Sequence, residues 1–310
     1  MTSVNLKLVR PGWRDFLELC KPAVVAVMIV TSLIGMFLAV PGMVPLDVLI
    51  LGNLGIALCA ASAATVNHLV DRRIDLKMAR TLNRPVAQGR VEPFQAAFFA
   101  GALGLAGMAI LLIYINALTA WLTFASLVGY AVVYTVFLKR ATPQNIVIGG
   151  LAGAAPPLLG WTAVTNDIHP HALLLVLIVF TWTPPHFWAL ALHRKAEYAE
   201  AEVPMLLVTH GERYTKLHTL LYTIVLIPVT VLPWLVGMSG WLYLLGALVL
   251  GAGFLYWAIM LKVSDKPDLG MATFKYSIVY LLALFAIMLL DHYLVSAPSP
   301  QAIELPWDDG

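Results

Sequence analysis

Long apolar runs, each of about twenty residues and separated by short polar stretches, recur along this chain from residue 22 onward. A helix needs about twenty consecutive apolar residues to cross roughly 30 Å of hydrocarbon. Nine runs meet that length: 22–41, 46–66, 93–114, 117–138, 145–164, 171–192, 218–237, 241–261 and 276–294. The third and fourth are separated only by Ile115-Asn116, and the seventh and eighth by Met238-Ser239-Gly240, as in antiparallel helical hairpins. Pro156-Pro157 breaks the fifth run, and Pro184-Pro185 is expected to interrupt the sixth. The pattern predicts an all-α, polytopic membrane protein of nine transmembrane helices. It forms a single integral-membrane domain over 1–310, with 1–20 and 295–310 as flanking segments.

Composition agrees. The 310 residues are 60% hydrophobic and 12% charged, about half the charged fraction of soluble domains, and mean hydropathy is +0.84. A soluble helical bundle is excluded. Charge position then orients the chain. With the amino end inside, the N-terminal segment and the loops near 67–92, 139–144, 193–217 and 262–275 carry four, six, two, four and three Lys and Arg, all 19 in the protein. The opposite side has none, and its tail carries Glu304, Asp308 and Asp309. Basic residues retained on the inner side predict a cytoplasmic N-terminus and an extracytoplasmic C-terminus. The basic face needs no nucleic acid to explain it. Cys20 and Cys59 imply no disulfide.

The chemistry concentrates after the second run. Asn67, Asp71 and Asp75 are spaced by four, which advances each side chain by only about 40° around a helix, so all three share one face. Two carboxylates and an amide are hard oxygen ligands suited to Mg²⁺. Around them lie Arg72, Arg73, Lys77, Arg80 and Arg84, more cations than two acids need. The surplus points to a polyanion, and Mg²⁺ with arginines is how proteins hold a diphosphate. Pro85 and Gly89 end the helix, so the arginines are expected to curl back over the carboxylates.

Two other loops contribute. Thr181-Trp182-Thr183-Pro184-Pro185-His186-Phe187-Trp188 is followed by His193, Arg194, Lys195, Glu197 and Tyr198. Prolines at membrane depth are tolerated mainly where a helix lines a cavity. His186, between Trp182 and Trp188, is either a hydrogen-bonded core residue or a contact for a large flat substrate. If the helix resumes, His186 and His193, seven apart, share a face. Lys139-Arg140-Ala-Thr142-Pro143-Gln144-Asn145 leads into Gly149, Gly150 and Gly153. Those glycines serve close helix packing or leave room for a bulky ligand. No chain of buried carboxylates marks an ion route, which argues against a pump.

The Asn67/Asp71/Asp75 run with Arg80-Thr81 and Asn83-Arg84-Pro85 resembles the first aspartate-rich motif of the UbiA-type intramembrane prenyltransferases. The string from Lys139 to Gly150, the segment Pro184-Pro-His-Phe-Trp-Ala-Leu-Ala and Val203-Pro204-Met205 resemble the branch that farnesylates heme. The likeness covers roughly 20–292. It implies nine helices around a central cavity open to the cytoplasmic side of a bacterial inner membrane. It also implies transfer of farnesyl from farnesyl diphosphate to a vinyl group of heme B, giving heme O for heme A synthase or terminal oxidase assembly. By position it implies Asn67, Asp71 and Asp75 as Mg²⁺ ligands, and Arg80, Arg84, Lys139 and Lys21 as diphosphate contacts. His186, with His193 as competitor, is the candidate ligand for heme iron, and Arg194 and Lys195 are candidate partners of the propionates. Two features depart from the family. The acidic positions of a second aspartate motif hold residues such as His186 and Arg194, with only Glu197 acidic. A usual Tyr-x-x-x-Lys is here Tyr134 and Lys139, five apart. The alternatives are an aromatic or quinone-precursor acceptor, a flippase, and a non-catalytic oxidase assembly factor.

Overall fold

The computed structural model describes residues 11–78, 81–196, 204–264, 266 and 268–294. The terminal segments, Arg80 and Glu197 lie outside the described residues. All regular structure among the described residues is helical. In chain order the helices are α1 (Trp13–Leu19), α2 (Pro22–Leu38), α3 (Val48–Asp75), α4 (Pro93–Ile115), α5 (Ala117–Leu138), α6 (Asn145–Ala154), α7 (Pro156–Thr165), α8 (Pro170–His193), α9 (Leu206–Leu235), α10 (Trp241–Val263) and α11 (Leu269–Leu294). Helices α6 and α7 together make one span. Eight spans are long and apolar enough to cross a membrane, and α1 with α2, bent by 52°, makes a ninth.

The predicted runs are all found, and most differences are extensions. α3 continues nine residues past its apolar run, to Asp75, α9 begins at Leu206 and α11 at Leu269. A helix hydrogen-bonds its own backbone whatever its side chains are, so it can run on through polar residues after the apolar stretch has ended. α9 is broken near its start, where Gly211 takes φ +83°. One expectation is corrected: Pro184-Pro185 do not interrupt the sixth span, because α8 is continuous from Pro170 to His193. Proline's fixed φ is already close to the helical value. Both rings are buried among neighbouring helices, which hold the segment although two backbone N–H groups are missing.

α2 lies along α7, α3 along α4, and α8 between α9 and α11, while α10 closes against α9 and α11. Close approach is written into two glycines. A Cβ on Gly35 would sit 2.0 Å from the Pro157 carbonyl oxygen, and one on Gly160 would sit 2.0 Å from that of Ser32. The largest apolar core is built mainly from α2, α8, α10 and α11, joined by Ala154 of α6, Trp161 of α7 and Leu226 of α9, with Phe254, Tyr280 and Phe285 fully buried. Asn116 caps α5 at the tight turn, its side chain accepting from Thr119 N–H at 2.8 Å. At the same end of the bundle, the Asp291 carboxylate accepts from Gly240 and Tyr243 N–H, capping α10. That buried acid is structural.

Candidate functional site

Asn67, Asp71 and Asp75 occupy one face of the last three turns of α3 and are all buried, as spacing by four requires. Each is met by a cation from a different segment. Lys21 donates to Asn67 Oδ1 from the bend between α1 and α2, where its own backbone is left-handed (φ +50°). Lys139, just after α5, donates to Asp71 Oδ2 at 2.5 Å. Arg84 returns from the 76–92 loop, its Nη1 bridging Asp75 Oδ1 and Oδ2 at 2.8 and 2.9 Å. Arg84 therefore does curl back over the ladder. Thr81, beside it, donates to the Asp75 carbonyl at 3.0 Å.

Asn67 Nδ2 links the ladder together, donating to Asp71 Oδ2 at 2.8 Å and to Thr135 Oγ1 at 3.3 Å. Asp71 Oδ1 is buried with no hydrogen-bond partner among the described residues. A buried carboxylate oxygen left in that state is costly unless something electropositive completes it. With Asp75 and the Asn67 amide oxygen on the same face, the donor set fits a hard divalent cation such as Mg²⁺. Among the described residues no cluster of three His, Cys, Asp or Glu side chains forms a metal cage. Such an ion would therefore draw its remaining ligands from substrate oxygens and water.

The departure at Tyr134 and Lys139 has a structural explanation. Residues 129–138 of α5 adopt a π-helical winding, so the Lys139 N–H reaches back five residues to the Tyr134 carbonyl. The Thr135 hydroxyl reaches back five to Tyr130. A wider turn brings residues five apart onto one face. The extra residue in the sequence is absorbed, and Lys139 arrives over the ladder.

Below the ladder opens a cavity of ≈ 500 Å³. Among the described residues Lys21 is the one Lys or Arg that lines it, and its walls come from α2, α3, α5, α6, α7, α8 and α11. It follows α3 through Ala64, Ala63, Ala60 and Ile56, a descent of about 12 Å at 1.5 Å per residue. Gly153 lines it and has open space where a Cβ would stand, so this glycine leaves room. Gly149 and Gly150 instead pack against Tyr134 and Thr183.

His186 lines the same cavity. Its ring is stacked between Trp182 (centroids 4.1 Å apart) and Phe274 (4.6 Å). The second aromatic is thus Phe274 of α11, whereas Trp188 flanks His186 only in the sequence. Position 188 is two residues along the helix and points elsewhere, and Trp188 packs edge-on against Tyr222 and His218. The His186 tautomer follows from its neighbours. The single proton of Ser277 Oγ goes to the Phe274 carbonyl at 2.6 Å, so Ser277 Oγ accepts from His186 Nδ1–H at 2.7 Å. Nε2 then carries a lone pair at the cavity edge. His193 lies exposed at the end of α8, and neither it, Arg194 nor Lys195 lines the cavity. Lys195 pairs with Glu212 at 3.3 Å. Thr135, Ser277 and Phe274 were not distinguished by sequence, because each contributes from a helix far from the motif it supports.

Known proteins resemble this chain in sequence and in fold. The model of the UbiA prenyltransferase family matches residues 28–284. A protoheme IX farnesyltransferase of Saccharophagus degradans is 71% identical over 284 residues, covering 92% of this chain and 94% of its own. A solved structure concerning digeranylgeranylglyceryl phosphate synthase in membranes superposes with a TM-score of 0.76 at 16% identity, over 90% of this chain and 98% of its own. A UbiA homologue from Archaeoglobus fulgidus, solved with GPP and Mg²⁺, does so with a TM-score of 0.65 at 15% identity, over 88% and 99%. Matched over most of its length, the chain belongs to the UbiA prenyltransferase family.

Proposed function

We propose that this prenyltransferase moves a farnesyl group from farnesyl diphosphate to a vinyl carbon of protoheme IX (heme B), giving heme O at the cytoplasmic side of a bacterial inner membrane. The observation that carries the reading is one apolar cavity that meets the cationic ladder at Lys21 and presents His186 from its wall. Its volume lies in the range of small-molecule sites. The Saccharophagus relative, named for the same reaction, supports the choice of substrates.

An allylic diphosphate ionises when negative charge on the leaving group is stabilised away from water. Lys21, Arg84 and Lys139, held at fixed positions by the ladder, supply cationic donors there, and Arg80 belongs by sequence to the same loop. Mg²⁺ bound by Asn67, Asp71 and Asp75 would add Lewis-acid stabilisation of the departing oxygens. The allylic cation left in the cavity faces Tyr130 and Trp182, whose ring faces favour positive charge. The electron-rich vinyl group attacks it, and water adds to the resulting cation beside the porphyrin. No side-chain nucleophile is needed. His186, rigidly stacked with Nε2 unprotonated, is the ligand that sets the porphyrin in place through its iron. Arg194 and Lys195, just over two turns further along and outside the cavity lining, are the cations left to meet the propionates. Heme O then passes to a heme A synthase or to oxidase assembly. An aromatic or quinone-precursor acceptor would leave the buttressed imidazole without a role.

The test is mass spectrometry of heme extracted from membranes incubated with heme B, farnesyl diphosphate and Mg²⁺. Wild type is expected to yield heme O and Asp75→Asn at least about a hundredfold less, the order of loss for removing one electrostatic element of a site. Wild-type membranes that leave heme B unchanged, or that prenylate a quinone precursor instead, overturn the reading. His186→Ala is expected to shift the Soret band of bound heme, and an unchanged spectrum with full turnover removes His186 from the acceptor site.

A further inference from the structure

His68 stands beside the ladder but is not on it. One residue after Asn67 on α3, it is turned about 100° away, toward the bend between α1 and α2. The residue is 2% exposed, and neither Nδ1 nor Nε2 has a hydrogen-bond partner among the described residues. Leucine would fill such a place without leaving two polar atoms buried, so packing does not account for an imidazole there. The ring faces a pocket of ≈ 260 Å³ whose other polar walls are Lys21, Arg84, Thr81 and Glu18. Thr81 spends its proton on the Asp75 carbonyl. Glu18 is turned to Arg90 at 3.4 Å. The donors left along the pocket wall are the Lys21 ammonium, the Arg84 guanidinium and, buried just behind its surface, the ring N–H of His68. Lys21, Ala23 and Val24 line both this pocket and the large apolar cavity. The two spaces therefore adjoin at Lys21, a cationic chamber beside an apolar one.

We infer that this chamber seats the terminal phosphoryl group of the prenyl diphosphate and that His68 is a binding residue there, donating its ring N–H to a phosphoryl oxygen. A terminal phosphoryl group carries three acceptor oxygens, and charged acceptors take the strongest hydrogen bonds. The neutral ring already has the one proton required, so no change of protonation is involved. The contact supplements the carboxylate ladder and rests on the reading that the site takes a prenyl diphosphate.

The test uses the full-length protein in lipid nanodiscs, with inorganic pyrophosphate plus Mg²⁺ and, separately, farnesol as probes in titration calorimetry. Pyrophosphate binding by the wild type checks the underlying reading, and its absence overturns both claims together. Given that binding, His68→Leu is expected to weaken pyrophosphate roughly tenfold and leave farnesol unchanged. His68→Asn, which keeps an N–H at similar reach, is expected to stay within about threefold of wild type. The KM for farnesyl diphosphate rises in step in His68→Leu. Because the ring has no hydrogen-bond partner among the described residues, His68→Leu is also expected to melt no lower than wild type. Equal pyrophosphate affinity in wild type and His68→Leu, or parallel weakening of pyrophosphate and farnesol, overturns the assignment while leaving the diphosphate site itself intact.

Discussion

Replacing Lys139 by Met would leave the Asp71 carboxylate, whose side chain is 1% exposed, without its cation. Stranding one member of a buried pair costs about 3 kcal/mol, whereas replacing both can be nearly neutral. Lys139→Met is therefore expected to lower the unfolding temperature in detergent. The double variant Asp71→Asn/Lys139→Met should recover most of that loss, yet neither should transfer a prenyl group. A single variant as stable as wild type would show that the pair is not structural, and a double variant with activity would remove both residues from the site. The ladder itself was legible in sequence, because spacing by four fixes a helix face whatever surrounds it. The cations were legible as a surplus but not as individuals. Which one meets which oxygen depends on Lys21 crossing from the bend before α2 and Lys139 from the end of α5, and no local pattern encodes contacts so far apart in the chain. His186 was legible as a residue out of place among prolines and tryptophans. Its proton position was not, since that is set by Ser277, 91 residues away.

Among the elements, α2 and α7 form the tightest junction, and the two glycines there differ in kind from Gly153. A methyl group at Gly35 would meet the Pro157 backbone oxygen at 2.0 Å, and backbone cannot rotate aside. Gly35→Ala is expected to cost about 2 kcal/mol or more and, by moving α2, to displace Lys21 from the ladder. Gly153→Ala has open space around it and should melt close to wild type. The larger Gly153→Leu would project into the cavity eight residues into α6, at a depth of about 12 Å. It should turn preference from the fifteen-carbon diphosphate toward the ten-carbon one, read as the ratio of kcat/KM for the two. An unchanged ratio would mean that the isoprenoid tail does not run past Gly153. Sequence placed every one of these helices from its apolar length. It could not distinguish glycines that close a junction from one that opens a cavity, because the difference lies in what stands opposite. Nor could it foresee the π-helical stretch before Lys139, which shows in sequence only as one residue too many between Tyr134 and Lys139.

For the molecule as a whole, the polarity of the charges decides which side of the membrane can supply the substrates. The described cations at the ladder and those of the 193–217 segment lie at one set of helix ends, and Asp167 lies in the turn between α7 and α8 at the other. Retention of Lys and Arg on the inner side orients such a bundle, and a charged diphosphate head does not cross the hydrocarbon unaided. If that orientation holds, the ladder faces inward and the Asn166-Asp167 turn faces out. With Cys20 and Cys59 replaced by alanine, Asp167→Cys is expected to react with a membrane-impermeant maleimide added to intact cells. Lys195→Cys, whose parent side chain is 60% exposed, should react only after the cells are permeabilised. The reverse pattern would put the cationic chamber outside. Farnesyl diphosphate would then have to be exported before it could be used, and the proposed reaction could not draw on a cytoplasmic pool. The labelling thus tests the function as well as the topology, since a diphosphate site and its supply must share a compartment.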